Sequence, residues 1–333
     1  MKESNLKIDF VLPWVDGSDP DWQARFKEYS HIKEGDSSNI RFRDWDLLKY
    51  WFRAIENFAP WFNNIYFITS GELPDWLNIE NTKLRWIQHK DFIPAEYLPT
   101  FSVRPIEMNL HRIKDLSETF VYFNDDSYLT KSIHPSRFFY KNSPCDSAIM
   151  TAKPASGGTI HVAINDLDVL DKHFDKHQVI KRNFSKWYSL KYKSRLISNI
   201  LLYPWKEFSG FIDPHIPYAY VKSTLSKIWE AEPQLLDETS KRKFRTNNDV
   251  NQWLTRYWQL AEGNFHPKNI MEKTICLDIN DDTCERICND IRSQKYEIMC
   301  LNDSLNISDF EECKRQIKNS FECILPQKSS FEK

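Results

Sequence analysis

The stretch KIDFVLPWVDGSDP, residues 7–20, contains the pattern on which the fold prediction depends. Its first part is mainly apolar and rich in β-formers, which predicts a buried strand over Lys7–Val15. Turn-forming residues follow directly, from Asp16 to Pro20, and they mark the end of the strand and the start of a loop. The same order, a short buried strand followed by a polar loop, recurs along the first 130 residues.

Strand and helix patterns alternate after this first strand. Further strands are predicted over Asn64–Thr69, Lys83–Gln88 and Thr119–Phe123, and helices over Asp44–Phe58, with Asp44 as N-cap, and over Pro105–Leu116. This alternation favours an α/β fold with a mostly parallel sheet flanked by helices. Ligands of such sheets bind outside the carboxyl ends of the strands. The residues that fall just beyond those ends are Asp16, Ser70, His89, Asp125 and Asp126, so we expect the active site at that edge.

The rest of the chain is predicted to be mainly helical. Helical patterns cover residues 165–200, Tyr220–Ala231 and Asn247–Ala261, and the tail from Ile275 is predicted to mix helix and loop. We expect an α/β ligand-binding core in residues 1–130, a helical insertion on the acceptor side in residues 131–210, and a C-terminal helical portion in residues 211–333 that completes the site. The three parts are expected to form one compact catalytic unit.

Composition excludes several classes of protein. The chain has 45 basic and 47 acidic residues, so it has no global positive field to bind nucleic acid or an anionic membrane, although a local patch stays open. The 7 glycines form none of the common Gly-rich phosphate loops. No signal peptide and no transmembrane segment is predicted, which favours the cytoplasm and reduced thiols for the seven cysteines. The spacing of Cys284 and Cys288 gives only weak support for zinc.

The strongest chemical signal is the pair Asp125–Asp126, directly after a buried strand. Adjacent carboxylates supply hard oxygen ligands, so the pair predicts a site for Mg²⁺ or Mn²⁺ that bridges a diphosphate. Both carboxylates can serve only if the chain turns there, because a strand points successive side chains to opposite faces. A polar turn without metal is the alternative.

Three further positions carry candidate chemistry. Glu107 and His111 share one face of a predicted helix, as a base and its partner or as an ordinary surface pair. His215 lies between two prolines, which suits proton transfer or a structural role. Arg245 ends a basic run near a predicted helix start. It either binds a phosphate oxygen there or belongs to a solvated basic surface.

Several of these stretches resemble, in the same order, the four signature regions of the Stealth family. That family includes bacterial capsular polysaccharide phosphotransferases, and the catalytic subunit of the animal lysosomal-enzyme N-acetylglucosamine-1-phosphotransferase is a relative. The matching stretches are Ile8–Pro20 for the first region, Arg41-Phe42-Arg43-Asp44 through Asn124-Asp125-Asp126 for the second, His215-Ile216-Pro217 with Arg245 for the third, and LPQKSSFE at 325–332 for the fourth.

The resemblance implies transfer of a hexosamine-1-phosphate from a UDP-sugar, of the UDP-GlcNAc or UDP-ManNAc type, to an oligosaccharide or polysaccharide hydroxyl. UMP would be released and a phosphodiester formed. The residues that carry over are Glu107, Asp126, His215 and Arg245 as the catalytic group, and Trp14, Val15, Asp16, Gly17 and Arg41 as contacts of the nucleotide-sugar. His215 is preferred as the proton acceptor, because a neutral imidazole is available near pH 7. Peripheral association with capsule assembly machinery at the inner face of the membrane would fit this role.

Two other functions stay open at this point. A metal-dependent glycosyltransferase would use the same UDP-sugar and the same acidic sheet edge, but it would break the sugar C1–O bond and release UDP. A polysaccharide-binding module without activity would use some of the 12 tryptophans for stacking on sugars. The four carried-over residues argue against the binding module. Identification of the released nucleotide distinguishes the glycosyltransferase, which releases UDP, from the phosphotransferase, which releases UMP.

Overall fold

The computed structural model describes residues 6–30, 43–154 and 159–333. The strands are Ile8–Pro13 (β1), Ile65–Thr69 (β2), Leu84–Gln88 (β3), Thr119–Tyr122 (β4), Ser127–Leu129 (β5), Phe139–Tyr140 (β6), Ser143–Asp146 (β7), Tyr218–Val221 (β8), His266–Pro267 (β9), Thr274–Asp278 (β10) and Ile298–Asn302 (β11). The helices are Pro20–Tyr29 (α1), Leu48–Phe58 (α2), Val103–Asn109 (α3), Ile160–His173 (α4), Lys176–Arg182 (α5), Phe184–Trp187 (α6), Leu196–Leu202 (α7), Lys222–Ala231 (α8), Pro233–Lys241 (α9), Gln252–Glu262 (α10), Cys284–Arg292 (α11) and Phe310–Ile324 (α12).

The central sheet has five strands in the order β3-β2-β1-β4-β8. The first four are parallel, and β8 runs antiparallel to β4 at the edge. Strands β1, β2 and β4 are buried along their whole length, which explains their almost continuous apolar sequence, because both faces are covered. The predicted α/β fold with a mostly parallel sheet flanked by helices is confirmed.

Each face of the central sheet packs against its own layer of helices. Phe10 of β1 points into a core shared with α2 and α12, whereas its neighbour Val11 points into a second core shared with α3 and α8. This alternation follows from the two-residue period of a strand. The first core joins residues 8–139 to residues 279–331, so the two ends of the chain contribute to one hydrophobic interior.

The C-terminal segment is fixed to α2 by a buried arginine. The guanidinium of Arg53 donates to both carboxylate oxygens of Glu332, at 2.8 and 2.9 Å, and to the carbonyl oxygen of Leu325 at 2.8 Å. The two charged side chains are only 6% and 5% exposed. A planar guanidinium suits this bidentate contact, which positions the end of the chain against the first core.

Two smaller sheets complete the fold. One has the order β10-β11-β5, and its strand β5 begins directly after the turn that follows β4. The other has the order β6-β7-β9. The prediction of only helix and loop in the tail was therefore wrong for β10 and β11. Strand β10 carries no continuous apolar run, because it is partly exposed along its length, and the strand signal in its sequence is weak.

The helical insertion begins and ends at a short two-stranded stem. The N–H of Thr151 donates to the carbonyl of Gly210 at 3.0 Å, and the N–H of Ile212 donates to the carbonyl of Ile149 at 3.0 Å. Gly210 has φ +129°, and an added Cβ would lie 2.5 Å from Cγ of Lys153, so this position requires glycine. Between the stem strands the predicted helical pattern is broken into the helices α4 to α7.

Three predicted element boundaries differ from the structure. Helix α2 begins at Leu48 without a side-chain cap, while the Asp44 carboxylate accepts from the N–H of Asp46 at 2.7 Å, so Asp44 is not the N-cap. Tyr220 belongs to strand β8, and the helix begins two residues later. Helix α10 begins at Gln252, with the Asn251 side chain as its cap, and not near residue 247.

Among the residues that the structure describes, no helix is both long and apolar enough to cross a lipid bilayer. All seven cysteines carry free thiols.

Candidate active site

The carboxyl edge of the central sheet brings three loops together. Strands β1 and β4 are parallel neighbours, with Val11 opposite Tyr122, so the loop at Trp14–Gly17 and the turn at Asn124–Asp126 leave the sheet side by side. Strand β8 is antiparallel, with Tyr218 opposite Tyr122. Its beginning therefore lies at this same edge, and His215, which precedes β8, reaches the acidic turn.

The acidic pair lies in a tight turn. The N–H of Ser127 donates to the carbonyl of Asn124 at 3.1 Å, and the N–H of Leu301 in β11 donates to the carbonyl of Asp126 at 2.9 Å. The turn lets both carboxylates serve one edge, which an extended strand would prevent. The Asp125 residue is exposed to solvent at the edge. Desolvation of its carboxylate by the surrounding protein and the negative charge of Asp126 raise its pKa to about 6.

His215 contacts the acidic turn directly. Its Nε2 lies 2.5 Å from the side-chain nitrogen of Asn124 and 3.6 Å from a carboxylate oxygen of Asp126. Its Nδ1 lies 3.1 Å from the side-chain oxygen of Asn302 at the end of β11. The imidazole is 42% exposed, so a ligand at the edge can reach it. The structure thus brings together two residues, Asp126 and His215, that are 89 positions apart in the sequence.

Charged and polar groups hold the loop that carries His215. Asp213 accepts hydrogen bonds from Lys153 and from the hydroxyl of Tyr257, both at 2.6 Å, and it pairs with the fully buried Arg256. The hydroxyl of Tyr218 donates to the carbonyl of Pro214 at 2.5 Å. The rigid setting predicted from the flanking prolines therefore has a second cause, the anchored carboxylate of Asp213.

Two cysteines that the sequence analysis did not assign to the site lie beside His215. Cys276 of β10 and Cys300 of β11 are paired in register, and ligand atoms of these cysteines and His215 all lie within 4.8 Å of one another. A hydrogen bond with Cys300 lowers the pKa of the Cys276 thiol. No sequence signal indicated this contact, because it depends on the pairing of two strands that were not predicted.

The neighbours of His215 also change its charge. Burial disfavours the imidazolium, but the hydrogen bond to Cys276 and the negative charge of Asp126 outweigh it and raise the pKa of His215 to about 9. The expectation of a neutral imidazole near pH 7 is therefore wrong for the ligand-free protein.

Glu107 lies behind the turn and is 3% exposed. Its two carboxylate oxygens accept from the hydroxyl of Tyr122 at 3.2 Å and from the N–H of Gln252 at 3.1 Å. Burial raises its pKa, and the charge of Arg245 opposes that shift. His111 is not its partner, because α3 ends at Asn109 and the imidazole packs 5.9 Å from the ring of Trp229.

Arg245 lies in the loop before α10, seven residues ahead of the first helical residue, so the predicted position at a helix N-terminus was wrong. Burial raises the pKa of both Glu107 and Asp125, and the positive charge of Arg245 opposes both shifts. The buried carboxylate of Asp249 fixes the loop. It accepts from the N–H of Thr246 at 2.8 Å and from Arg242 at 3.0 Å.

The loop after β1 forms the other side of the edge. Trp14 stacks on Phe67 with 5.7 Å between ring centroids. The Asp16 carboxylate accepts from the N–H and the hydroxyl of Ser18 at 2.8 and 2.6 Å. Val15 and Gly17 are half-buried. A cavity of about 550 Å³ opens beside this loop and is lined by Asp19, Asp21, Ala24, Arg25, Ser70, Gly71 and Glu72. Arg41, predicted to contact the nucleotide-sugar, lies outside the described residues.

The donor atoms at this edge fit a hard divalent cation. Asp125 and Asp126 offer carboxylate oxygens from one turn, and the pKa of Asp125 is raised first by desolvation and then by the negative charge of Asp126. The group His215, Cys276 and Cys300 is chemically different, because its thiols suit softer metals. It is the only group of three or more metal-ligating side chains within the described ranges.

The chain is similar to known proteins over nearly its whole length. The family models of Stealth protein conserved regions 1 and 2 match residues 6–34 and 41–146. The chain is 42% identical over 331 residues to the capsular polysaccharide phosphotransferase WcwK of Streptococcus pneumoniae, covering 98% of each chain. It is 37% identical to the exopolysaccharide phosphotransferase cps2G of Lactiplantibacillus plantarum and 38% identical to the receptor polysaccharide phosphotransferase WefC of Streptococcus oralis, covering 96% and 99% of those chains.

Among solved structures, the galactosyltransferase LgtC, in complex with donor and acceptor sugar analogs, matches with a TM-score of 0.38 and 10% identity, over 94% of this chain and 96% of that chain. The two Stealth regions contain the loop after β1, the acidic turn and Glu107, and the relatives extend the match across His215 and Arg245. On this full-length similarity, the chain belongs to the Stealth protein family.

Proposed function

We propose that this protein transfers a hexosamine-1-phosphate from a UDP-sugar to a hydroxyl of a growing surface polysaccharide. The observation that carries the proposal is the meeting of Asp126, His215 and the charge of Arg245 at the carboxyl edge of the sheet. The relatives named phosphotransferases support the class of reaction. In this reaction the acceptor oxygen forms a bond to the phosphorus next to the sugar, and the bond from that phosphorus to UMP breaks.

We assign to His215 the role of accepting the proton of the acceptor hydroxyl. Its imidazole is open to a ligand and contacts Asp126, whereas both oxygens of the buried Glu107 already accept hydrogen bonds. The imidazolium of the ligand-free protein must lose its proton before it can accept one from the hydroxyl. Glu107 then serves as a positioning residue for Arg245, since a buried carboxylate favours a neighbouring cation.

We assign to Arg245 the stabilisation of the negative charge that develops on the phosphoryl oxygens. A guanidinium offers paired N–H donors to phosphate, and a fixed donor needs little rearrangement in the transition state. Asp249 fixes the loop that carries Arg245 by accepting from the N–H of Thr246. Asp125 and Asp126 would hold Mg²⁺ or Mn²⁺, which supplies charge neutralisation of the donor diphosphate.

The loop Trp14–Gly17 is assigned to the nucleotide side of the donor. It lies next to the acidic turn through the β1–β4 pairing, and the cavity of about 550 Å³ begins at Asp19, two residues beyond it. Trp14 offers an aromatic surface, and the hydrogen bonds of Asp16 to Ser18 fix the shape of the loop. Arg41 remains a predicted contact on this side.

Product identification tests the proposal. The protein is incubated with UDP-GlcNAc or UDP-ManNAc, Mg²⁺ and a phosphodiester-linked oligosaccharide, and the products are followed by ³¹P NMR and nucleotide chromatography. UMP together with a new diester resonance is expected. UDP without a new diester would instead assign a glycosyltransferase activity. The His215→Ala variant should lose the diester product, and the matched His161→Ala variant, which changes an exposed histidine on α4, should keep it.

A further inference from the structure

Residues 184–205 expose an unusual amount of apolar surface. Ten large hydrophobic side chains are exposed in the described part of the chain, and seven of them fall in this short stretch. The seven are Phe184 (62% exposed), Leu190 (86%), Ile197 (59%), Ile200 (60%), Leu201 (65%), Tyr203 (41%) and Trp205 (59%). Single exposed apolar residues are common, but such a concentration marks a surface that contacts another phase or molecule.

The same stretch is positively charged. Between residues 184 and 206 there are five lysines and arginines and no aspartate or glutamate, although the whole chain has a net charge of −2. The basic residues closest to the apolar ones, Lys191, Lys193 and Arg195, are exposed. Lys193 lies 3.3 Å from Glu272 and Lys206 lies 3.7 Å from Glu207, but these pairs are open to solvent and so only weakly neutralised.

The apolar side chains are held outward by a fixed helix. Asn199 on the inner face of α7 is fully buried and bonds to the N–H of Met150 at 2.7 Å and to the carbonyls of Ala148 and Trp187 at 2.7 and 2.8 Å. Ile197, Ile200 and Leu201 are spaced three and four residues apart, so they share the opposite face. The helix cannot turn them inward without breaking these buried bonds.

We propose that this surface, residues 184–206 with its exposed aliphatic, aromatic and basic side chains, docks on an anionic lipid bilayer. Apolar residues surrounded by lysine and arginine, with tryptophan at the edge, are typical of segments that lie in the membrane interface. A protein partner is disfavoured because lysine is depleted at protein interfaces. An anionic polysaccharide would use the positive charges but would leave the isoleucines and leucines in water.

The inference deepens the proposed function, on which its biological sense rests, because docking would concentrate the enzyme at acceptors held on a membrane. The surface belongs to the helical insertion and contains none of the residues assigned to the proposed site. Lipid binding is measured without substrate, and its result is therefore independent of whether the reaction assignment is correct.

The test is flotation of the full-length protein with vesicles. Vesicles of phosphatidylcholine alone are compared with vesicles of equal phosphatidylcholine and phosphatidylglycerol. The protein should float with the anionic vesicles and be released by high salt, because screening weakens the charge attraction. A variant with Ile200→Ser and Leu201→Ser should bind them at least about tenfold more weakly. A variant with Lys191→Gln and Arg195→Gln should lose the preference for phosphatidylglycerol.

The matched control is Leu305→Ser, which removes an exposed leucine (81%) outside this surface and should leave vesicle binding unchanged. Circular dichroism of each variant checks the fold. Equal binding by wild type and the Ile200→Ser, Leu201→Ser variant would overturn the proposal. So would self-association in lipid-free buffer that the same variant abolishes while no form floats, because the surface would then be an interface between copies of this chain. Turnover on a water-soluble acceptor reports separately on the proposed reaction.

Discussion

At the scale of single residues, the charge of His215 depends on Cys276. The imidazole and the thiol stabilise each other's charged forms, and the negative charge of Asp126 further stabilises the imidazolium. Replacing Cys276→Ser removes the thiolate, so the pKa of His215 should fall from about 9 towards its ordinary value. NMR titration of the His215 ring in metal-free protein measures this shift.

The matched control for that titration is Cys323→Ser, which changes the other exposed cysteine. It should leave the His215 pKa unchanged. A His215 pKa that stays near 9 in the Cys276→Ser variant would show that Asp126 and the surrounding amides raise it without the thiol.

Arg245 gives a second residue-scale prediction. The Arg245→Lys variant keeps the positive charge but loses the paired donors, so kcat should fall by roughly 10²-fold. Arg242→Lys is the control, because Arg242 lies in the same loop and bonds to Asp249, away from the acidic turn. Steady-state kinetics compares the two, and an undiminished kcat in Arg245→Lys would remove Arg245 from the charge-stabilising role.

The sequence predicted the residues of the site better than their surroundings. The positions of Asp125, Asp126 and Asp16 follow from strand ends, because the carboxyl ends of parallel strands share an edge. The contact of Cys276 and Cys300 with His215 could not be predicted, since it depends on the pairing of two weak strands and on a loop some 60 residues earlier in the chain. The spacing of Glu107 and His111 predicted that they share one face of a helix, but the helix ends between them.

At the scale of elements, the contact between Arg53 on α2 and Glu332 at the end of the chain carries a stability prediction. Arg53→Met would leave a buried carboxylate without its partner, so the free energy of unfolding should fall by about 3–5 kcal/mol. Urea unfolding followed by fluorescence measures it. The double variant Arg53→Met, Glu332→Leu should recover much of the loss, because it leaves no buried charge. A single variant as stable as wild type would contradict the anchoring role.

The same contact predicts a dependence of stability on pH. Burial alone would raise the pKa of Glu332, but the hydrogen bonds from Arg53 outweigh it and lower the pKa. A group with a depressed pKa stabilises the fold above its unfolded-state value, about 4.3, and this contribution is lost as the pH falls through the folded-state pKa. Acid titration of stability should therefore show a steeper loss below about pH 4.3 in wild type than in the double variant.

The central strands β1, β2 and β4 were predictable, whereas the edge strand β8 was not. Strands β1, β2 and β4 are continuous apolar runs because helices cover both faces, and their ends fall within about two residues of the prediction. Strand β8 has four residues and passes directly into α8, so the aromatic Tyr220 fits a helical pattern equally well. Only the pairing with β4 shows that Tyr220 belongs to a strand, and this pairing joins residues that are distant in the sequence.

At the scale of the whole molecule, the shared core predicts how the thiols react. Cys276 and Cys323 are exposed, and the other five cysteines are buried. A thiol reagent should therefore label two cysteines in the folded protein and the remaining five only on unfolding. Because Cys284, Cys288 and Cys313 pack in the core that joins both ends of the chain, these three should become reactive in the same urea range in which tryptophan fluorescence changes. Labelling of any of these three in native buffer would contradict the packing around α11 and α12.

The stem that closes the helical insertion has a consequence for how such enzymes diversify. Hydrogen bonds between residues 149–153 and 209–212 place the two ends of the insertion side by side, so the segment between them can be exchanged as one cassette without moving the strands that carry Asp126 and His215. Such a transplant must keep the side chains that pack on α10, where Leu167 and Leu170 meet Tyr257 and Leu260. Recombination at this stem would thus replace the helical segment and leave the carboxyl edge of the sheet unchanged.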